Sequence, residues 1–487
     1  MKKLFPLMAL LCLNVAAQAQ YQVQDHPSVS TGIAFSPLGS RVYFVGGESA
    51  TGAELWRFND NLPERLTDIW QGVRSSITGN LKQMPVVNGS VYFPALDKTN
   101  GGTILYAYSD AGYLTAIPLS PAGVVEVLDN EVVTIDDTIY FVGRDNNGYL
   151  DIYGYQPATG LIAQLTTQHG SAGQMTNYNG LLVFARTTIN MGSELGVLDL
   201  KNGKSYTYDI NAGNSSSFPG SFTVVDNTLY FAATTAAEGR ELYSYDPLTG
   251  PVRLTDLQPG AANSVAGGVI VHYKGSLVFS AYTNSSERIL YQYNLASKAG
   301  TQLGAYHGQS AILTSAAVYG GKLFMNIDTS FMFNPESLYI YDGTGLPKIA
   351  SQLLGGAQYQ NVYGLGVCGN KLYFTGATLP NLQGHLVVVT DSTVLGVGEQ
   401  LVATGIELYP NPATTEAHIS FSLRQATKLN VQLADMQGRV VYASAKQYSA
   451  GKHEITVPVS ELAVGVYMYT VADADGTVLD RGRVVKE

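Results

Sequence analysis

A three-residue apolar run returns along the chain at near-constant spacing: Val42-Tyr43-Phe44, Val91-Tyr92-Phe93, Ile139-Tyr140-Phe141, Leu182-Val183-Phe184, Leu229-Tyr230-Phe231, Leu277-Val278-Phe279, Leu323-Phe324-Met325 and Leu372-Tyr373-Phe374. The middle residues lie 49, 48, 43, 47, 48, 46 and 49 positions apart, which marks one unit repeated eight times. Turn-forming pairs such as Asn88-Gly89, Asn179-Gly180 and Lys274-Gly275 stand just before the runs, so a hairpin leads into each. A second recurrent strand follows, at Glu54-Leu55-Trp56, Ile104-Leu105-Tyr106, Asp151-Ile152-Tyr153, Glu194-Leu195-Gly196, Glu241-Leu242-Tyr243, Ile289-Leu290-Tyr291, Ser337-Leu338-Tyr339 and His385-Leu386-Val387. Further turns, as at Asp246-Pro247-Leu248-Thr249-Gly250, introduce a fourth strand. Four antiparallel strands in about 48 residues is the size of a propeller blade. A single unit of this kind buries its two apolar faces only against neighbours. Residues 21–390 are therefore expected to form one cooperative eight-bladed β-propeller, with seven blades as the alternative count, and Tyr230 is expected in the core between blades.

The period ends after Thr390. Residues 391–405 read as a linker of small residues, and a different alternation follows in Ala417–Leu423, Leu429–Ala434, Val440–Ala443, His453–Val457, Val466–Ala472 and Val478–Val485. Six short strands separated by turns suit a small immunoglobulin-like β-sandwich over 406–487. Composition agrees with an all-β class: 52 glycines and 32 tyrosines with only 14% charged residues favour short strands and tight turns over helical bundles or disorder. At 487 residues the chain exceeds what one core accommodates.

Residues 1–19 read as a secretory signal peptide, with Lys2 and Lys3 at the start, an apolar stretch from Leu4 to Val15 and a small-x-small site at Ala17-Gln18-Ala19. No later segment reaches the roughly 20 apolar residues of a membrane helix, so no transmembrane segment is expected. Without Lys2 and Lys3, 26 basic residues face 38 acidic ones and no basic block exists, which argues against nucleic acid as a partner. Cys12 falls in the signal, leaving Cys368 alone, so burial and strand pairing rather than disulfides must hold the fold.

Chemistry-bearing motifs are sparse. The seven histidines include no pair with the spacing of a helical zinc protease, and His169-Gly170-Ser171-Ala172-Gly173 lacks the order of a nucleophile elbow. Asp145, Asn147 and Asp151, around Gly148, offer oxygen ligands for calcium but lack the Glu that closes such loops, and an ordinary turn is the simpler reading. Glu54, Glu194 and Glu241 recur by repeat position, which suggests a shared hydrogen bond within the blade. No catalytic residue, resident metal or organic cofactor is expected. Two functional readings follow: a non-catalytic propeller that binds a glycan, peptide or protein, or a propeller hydrolase or lyase for polysaccharide or peptide, which needs carboxylates or a histidine converging in the channel.

Two resemblances sharpen the picture. Gly52-Ala53-Glu54-Leu55-Trp56 and Gly239-Arg240-Glu241-Leu242-Tyr243 resemble the Glu-Leu-Trp-x-x-Asp-Gly-Thr repeats of secreted bacterial propellers, in degenerate form. Tyr409-Pro410-Asn411-Pro412, then Asp435 with Gly438 and Arg439, then Gly465 with Tyr467, and finally Lys486 resemble, in order, the type A C-terminal sorting domain of the type IX secretion system of Bacteroidota. That resemblance implies the type IX machinery as a partner of residues 406–487, and a protein secreted or held at the exterior of the outer membrane.

Overall fold

The computed structural model describes residues 21–391 and 403–487, apart from positions 40, 60–61, 79–80, 98–100, 168–171, 189, 283–286, 305–310, 329–336, 353, 355, 357, 379–382, 424–426, 436–438, 450 and 473–477. The expected signal peptide lies outside these residues. The chain divides into two compact units, 1–392 and 393–487.

Among the described residues of the first unit there are eight four-stranded antiparallel sheets. Sheet 1 is Thr31–Leu38, Arg41–Glu48, Gly52–Asn59 and Leu62–Arg65, in that order across the sheet. Sheets 2 to 7 repeat this meander over 86–116, 124–164, 172–208, 220–253, 271–302 and 312–349. Sheet 8 departs from it. Tyr359–Cys368, Lys371–Thr378 and His385–Asp391 supply three strands, and the fourth is Tyr21–His26 from the other end of the chain, with Tyr21 opposite Asp391 and His26 opposite Leu386. Asp391, read from sequence as the start of a linker, is thus the end of a strand, and 403–405 open the strand Ala403–Tyr409.

Each recurrent apolar triplet lies on the second strand of its sheet. The triplets are continuous rather than alternating because both faces of that strand are covered. Val91 and Phe93 pack toward sheet 1 while Tyr92 packs toward sheet 3. Leu277 and Phe279 likewise face sheet 5 and Val278 faces sheet 7. The apolar core is accordingly a succession of clusters, each shared by two sheets adjacent in chain order. A further cluster joins the ends of the series, with Phe35, Phe44, Trp56 and Phe58 of sheet 1 against Tyr373, Leu386 and Val388 of sheet 8. Tyr230 is only partly buried, against the sheet 6 side, whereas its neighbour Phe231 is fully buried toward sheet 4. The tyrosine ring is long enough to carry its hydroxyl to the edge of the inter-sheet layer.

The second unit contains a three-stranded sheet, Ala403–Tyr409, Glu416–Leu423 and Gly451–Pro458, and a four-stranded one in the order Val440–Tyr448, Thr427–Ala434, Gly465–Ala472 and Val478–Lys486. Ile419, Phe421, Ile455 and Val457 from the first share one core with Leu429, Val431, Leu433, Val471 and Val484 from the second. The alternation of buried and exposed residues in Gly451–Pro458 shows why a period of two was readable here.

Candidate functional site

The first strand of each sheet has a partner on one side only, so it is an edge. Seven of these edges, or the segments leading into them, line two adjoining cavities that share Leu81 and Lys82 from the loop between sheets 1 and 2. One, of about 470 Å³, is bounded by residues 33–35, 269–271, 314–316 and 363–366, from sheets 1, 6, 7 and 8 and the segments leading into them. The other, of about 540 Å³, is bounded by Pro37, 81–86, 132–134 and 175–177, from sheets 1 to 4. Ile33, Phe35, Ile270, Val271, Ala316 and Leu365 make the smaller cavity largely apolar. Lys82 is the only charged side chain among the described residues lining either one.

The lining strands are irregular in a repeated way. Register slips occur between Ile33 and Ser36, Gly173 and Thr176, Leu313 and Ser315, and twice between Gln360 and Gly366, and sheet 5, which lines neither cavity, has one between Gly220 and Thr223. In three of the lining strands a non-glycine residue adopts positive φ, Ala34 (56°), Gln174 (50°) and Asn361 (49°), as does Ser221 (56°) in sheet 5. Bulges leave backbone groups outside the ladder and re-aim side chains, and such backbone strain concentrates where a fold meets ligands.

The recurrent glutamates sit elsewhere, fully buried at the start of third strands. Thr67 donates its hydroxyl to Glu54 at 2.7 Å and Thr255 to Glu241 at 2.8 Å, while each threonine oxygen accepts the amide of the following leucine. Ser76 also donates to Glu54, and Ser217 donates to Glu194 through its hydroxyl at 2.6 Å and its amide at 2.8 Å. Ser264, which accepts the amides of Leu257 and Gln258, occupies the corresponding place beside Glu241. These acids brace the third strand to the segment that runs on to the next sheet. Burial raises the carboxyl pKa of Glu54 and Glu194 and pushes that of Glu241 up to about 7.

Asp151 belongs to the same device: Thr166 donates to it at 2.7 Å and accepts the amide of Ile152, and Gln164 donates to its other oxygen at 3.1 Å. Asp145 instead closes its own turn, accepting the amides of Asn147 and Tyr149, each at 2.8 Å. The structure thus gives these two carboxylates separate tasks. Among the described residues, no group of three or more His, Cys, Asp or Glu side chains is gathered as a metal site.

Sequence reasoning missed the glycine in the brace. Gly52, Gly192 and Gly239 each stand two residues before the glutamate at φ +68°, and a Cβ there would run into backbone of the following inter-sheet segment at Ser75, Ser216 and Ala262. The repeated Gly-x-Glu-Leu spelling was the available signal. Lys82 was missed as well, although it is the only charged residue between Arg74 and Asp97.

Where Tyr21–His26 joins sheet 8, Tyr359 donates to Asp25 at 3.1 Å and His385 Nε2 lies 3.2 Å from the same oxygen. The pairing holds the Asp25 carboxyl below, and the His385 imidazole above, their ordinary values.

In the second unit the motif residues gather at one end. Asn411 donates to the Arg483 carbonyl at 2.8 Å and accepts the Val485 amide at 2.9 Å, so Tyr409 to Pro412 lie along the last strand. Gly465 pairs with Lys486 in the ladder, and Tyr467 donates to the Ala463 carbonyl at 2.9 Å. Asp435 accepts the Arg439 amide at 2.9 Å and its guanidinium at 3.0 Å across a hairpin turn. Gly438 lies outside the described residues.

Residues 407–486 match the family of secretion system C-terminal sorting domains. No curated protein matches the chain. Solved structures to which the chain is similar include an oligogalacturonate lyase in complex with manganese, at 13% identity over 62% of this chain and 86% of that one, TM-score 0.39. They also include a Mycobacterium tuberculosis puromycin-hydrolyzing peptidase, at 12% identity over 72% and 58%, TM-score 0.44. Porphyromonas gingivalis dipeptidyl peptidase 4 is another, at 11% identity over 82% and 65%, TM-score 0.45. The sorting domain makes this an exported protein of the cell surface or its surroundings, delivered by the type IX machinery. Among the described residues no helix is long and apolar enough to cross a membrane.

Proposed function

We propose that the exported part of this protein is a non-catalytic, eight-bladed propeller that binds a glycan, peptide or protein in a channel at the ring centre, and that the immunoglobulin-like C-terminal sandwich directs it across the outer membrane. The binding reading is carried by the pair of cavities around Lys82, lined by edge strands, several of them bulged, from seven of the eight sheets or the segments leading into them. Both volumes fall in the ordinary range of ligand sites. The ring reading rests on the inter-sheet clusters, which run through the series and return from sheet 8 to sheet 1. The carboxylates that recur with the repeat, Glu54, Glu194 and Glu241, are engaged in braces, which favours binding over hydrolysis.

The test is a glycan and protein array probed with the purified full chain, followed by the Ala316→Trp variant, whose indole fills the smaller cavity. Binding that disappears in a variant with unchanged circular dichroism supports the channel as the site. Binding that survives the filled cavity places the ligand elsewhere and overturns the reading.

A further inference from the structure

Three features of the channel bear on what it binds. The smaller cavity is walled mainly by Ile33, Phe35, Ile270, Ala316 and Leu365, which suit apolar side chains and offer little to a polyhydroxylated sugar. The strands that bound it are sheet edges, bulged in sheets 1, 7 and 8, along which an extended chain can lie, while part of their backbone is already bonded to the next sheet, the Val269 amide to the Leu313 carbonyl at 2.9 Å and the Leu365 amide to the Ser315 hydroxyl at 3.1 Å. Lys82, at the junction of the two cavities, supplies a single positive charge in a chain of net charge −10. A cationic group would meet no carboxylate among the described lining residues, whereas an anionic one would meet Lys82.

We propose that the channel takes an extended apolar peptide ending in a free carboxylate, with the carboxylate at Lys82 and the last apolar side chains in the 470 Å³ cavity. This rests on the channel reading above and narrows its ligand to one class. The edge strands give an extended chain a surface to lie along, the cavity selects apolar side chains, and Lys82 selects the charged end over a capped one. The charge also fixes direction, since only one end of a peptide chain is negative. Tyr363, exposed at the wall beside Gly364, offers a ring face to a terminal aromatic residue.

The experiment uses the full chain and three fluorescent probes: the tripeptide Leu-Val-Phe labelled at its amino end with a free carboxylate, the same peptide as its C-terminal amide, and a neutral labelled maltoheptaose. Fluorescence polarisation is expected to show the acid binding at least tenfold more tightly than the amide, and Lys82→Glu to remove that preference. Lys82 is exposed, so the variant tests charge without disturbing the core. A benzophenone in place of the terminal phenyl ring is expected to cross-link to residues 33–35, 269–271, 314–316 or 363–366. Equal affinity for acid and amide, or a preference that survives Lys82→Glu, overturns the carboxylate assignment, while cross-links in the cavity would leave the channel reading standing. Maltoheptaose binding that is lost in Ala316→Trp, with no peptide binding, overturns the peptide class alone. Cross-links outside these segments, or no binding by any probe, overturn the inference and the channel reading together.

Discussion

Glu241 should give the first unit a pH dependence opposite to that of an ordinary salt-bridged carboxylate. Its carboxyl is fully buried, and burial raises its pKa from 4.5 to about 7 against the opposing hydrogen bonds from Ser264 and Thr255. Between those two pH values the folded protein keeps a proton that the unfolded chain has released. The stability associated with Glu241 is therefore complete below pH 4.5 and is lost as the pH rises through 7. A rise from 4.5 to about 7 corresponds to at most about 3 kcal/mol. Residues 21–391 unfold with an entropy of roughly 0.8 kcal/mol/K at ~2.1 cal/mol/K per residue, so that energy moves Tm by about 4 °C. The perturbation is Glu241→Gln, an uncharged isostere of the protonated form. Differential scanning calorimetry at pH 5 and pH 8 should show the variant near the parent at pH 5 and more stable by up to about 4 °C at pH 8. Glu54 and Glu194 shift in the same direction in both proteins, so the difference between parent and variant isolates Glu241. A variant less stable than the parent at pH 8, or a difference that does not change with pH, would refute the reasoning.

Phe231→Ala removes a fully buried ring stacked on Tyr243 at 5.7 Å and should cost about 3 to 5 kcal/mol in one cooperative transition, as chemical denaturation would show. Tyr230→Ala, at a partly buried position, should cost clearly less in the same assay. Gly239→Ala forces a side chain onto φ +68° and into the Ala262 backbone, so it should destabilise by more than about 1 kcal/mol, whereas Gly260→Ala, at positive φ with open space around it, should cost less. Deleting residues 407–487 should leave the first unit folded but retained within the cell envelope, which fractionation and limited proteolysis would check, and its appearance outside the cell would contradict the sorting role.

The parts of the fold that were legible in the sequence are those where burial acts on many residues in the same way. Both faces of Leu229-Tyr230-Phe231 and its counterparts meet a neighbouring sheet, so the triplets stay apolar through all eight copies and stand out without any structure. The two cavities were not legible because their walls come from short first strands such as Val86–Val87 and Val271–Tyr273, and from the loop holding Leu81 and Lys82. Two-residue strands carry no periodicity, and bulges at Ala34, Gln174 and Asn361 break what alternation exists. Glu241 could be seen to recur, but its partners Thr255 and Ser264 lie 14 and 23 residues on, in segments with no pattern of their own. The separate tasks of Asp145 and Asp151 were hidden for the opposite reason: the two are near in sequence, and a strand boundary divides them.

The strand Tyr21–His26 in sheet 8 also has a kinetic meaning. Seven of the sheets are made from consecutive residues and can form as soon as their own stretch of chain is available. The eighth must bring together segments about 360 residues apart, and closing a loop of that length costs about 3 kcal/mol more than closing a hairpin of roughly ten residues. Its assembly is therefore the non-local, slow step of folding, and until it occurs the strand His385–Asp391 offers an unpaired edge to any other extended chain. A chain whose two ends are still in different compartments cannot complete this sheet, so the last folding event waits until both have crossed the same membrane.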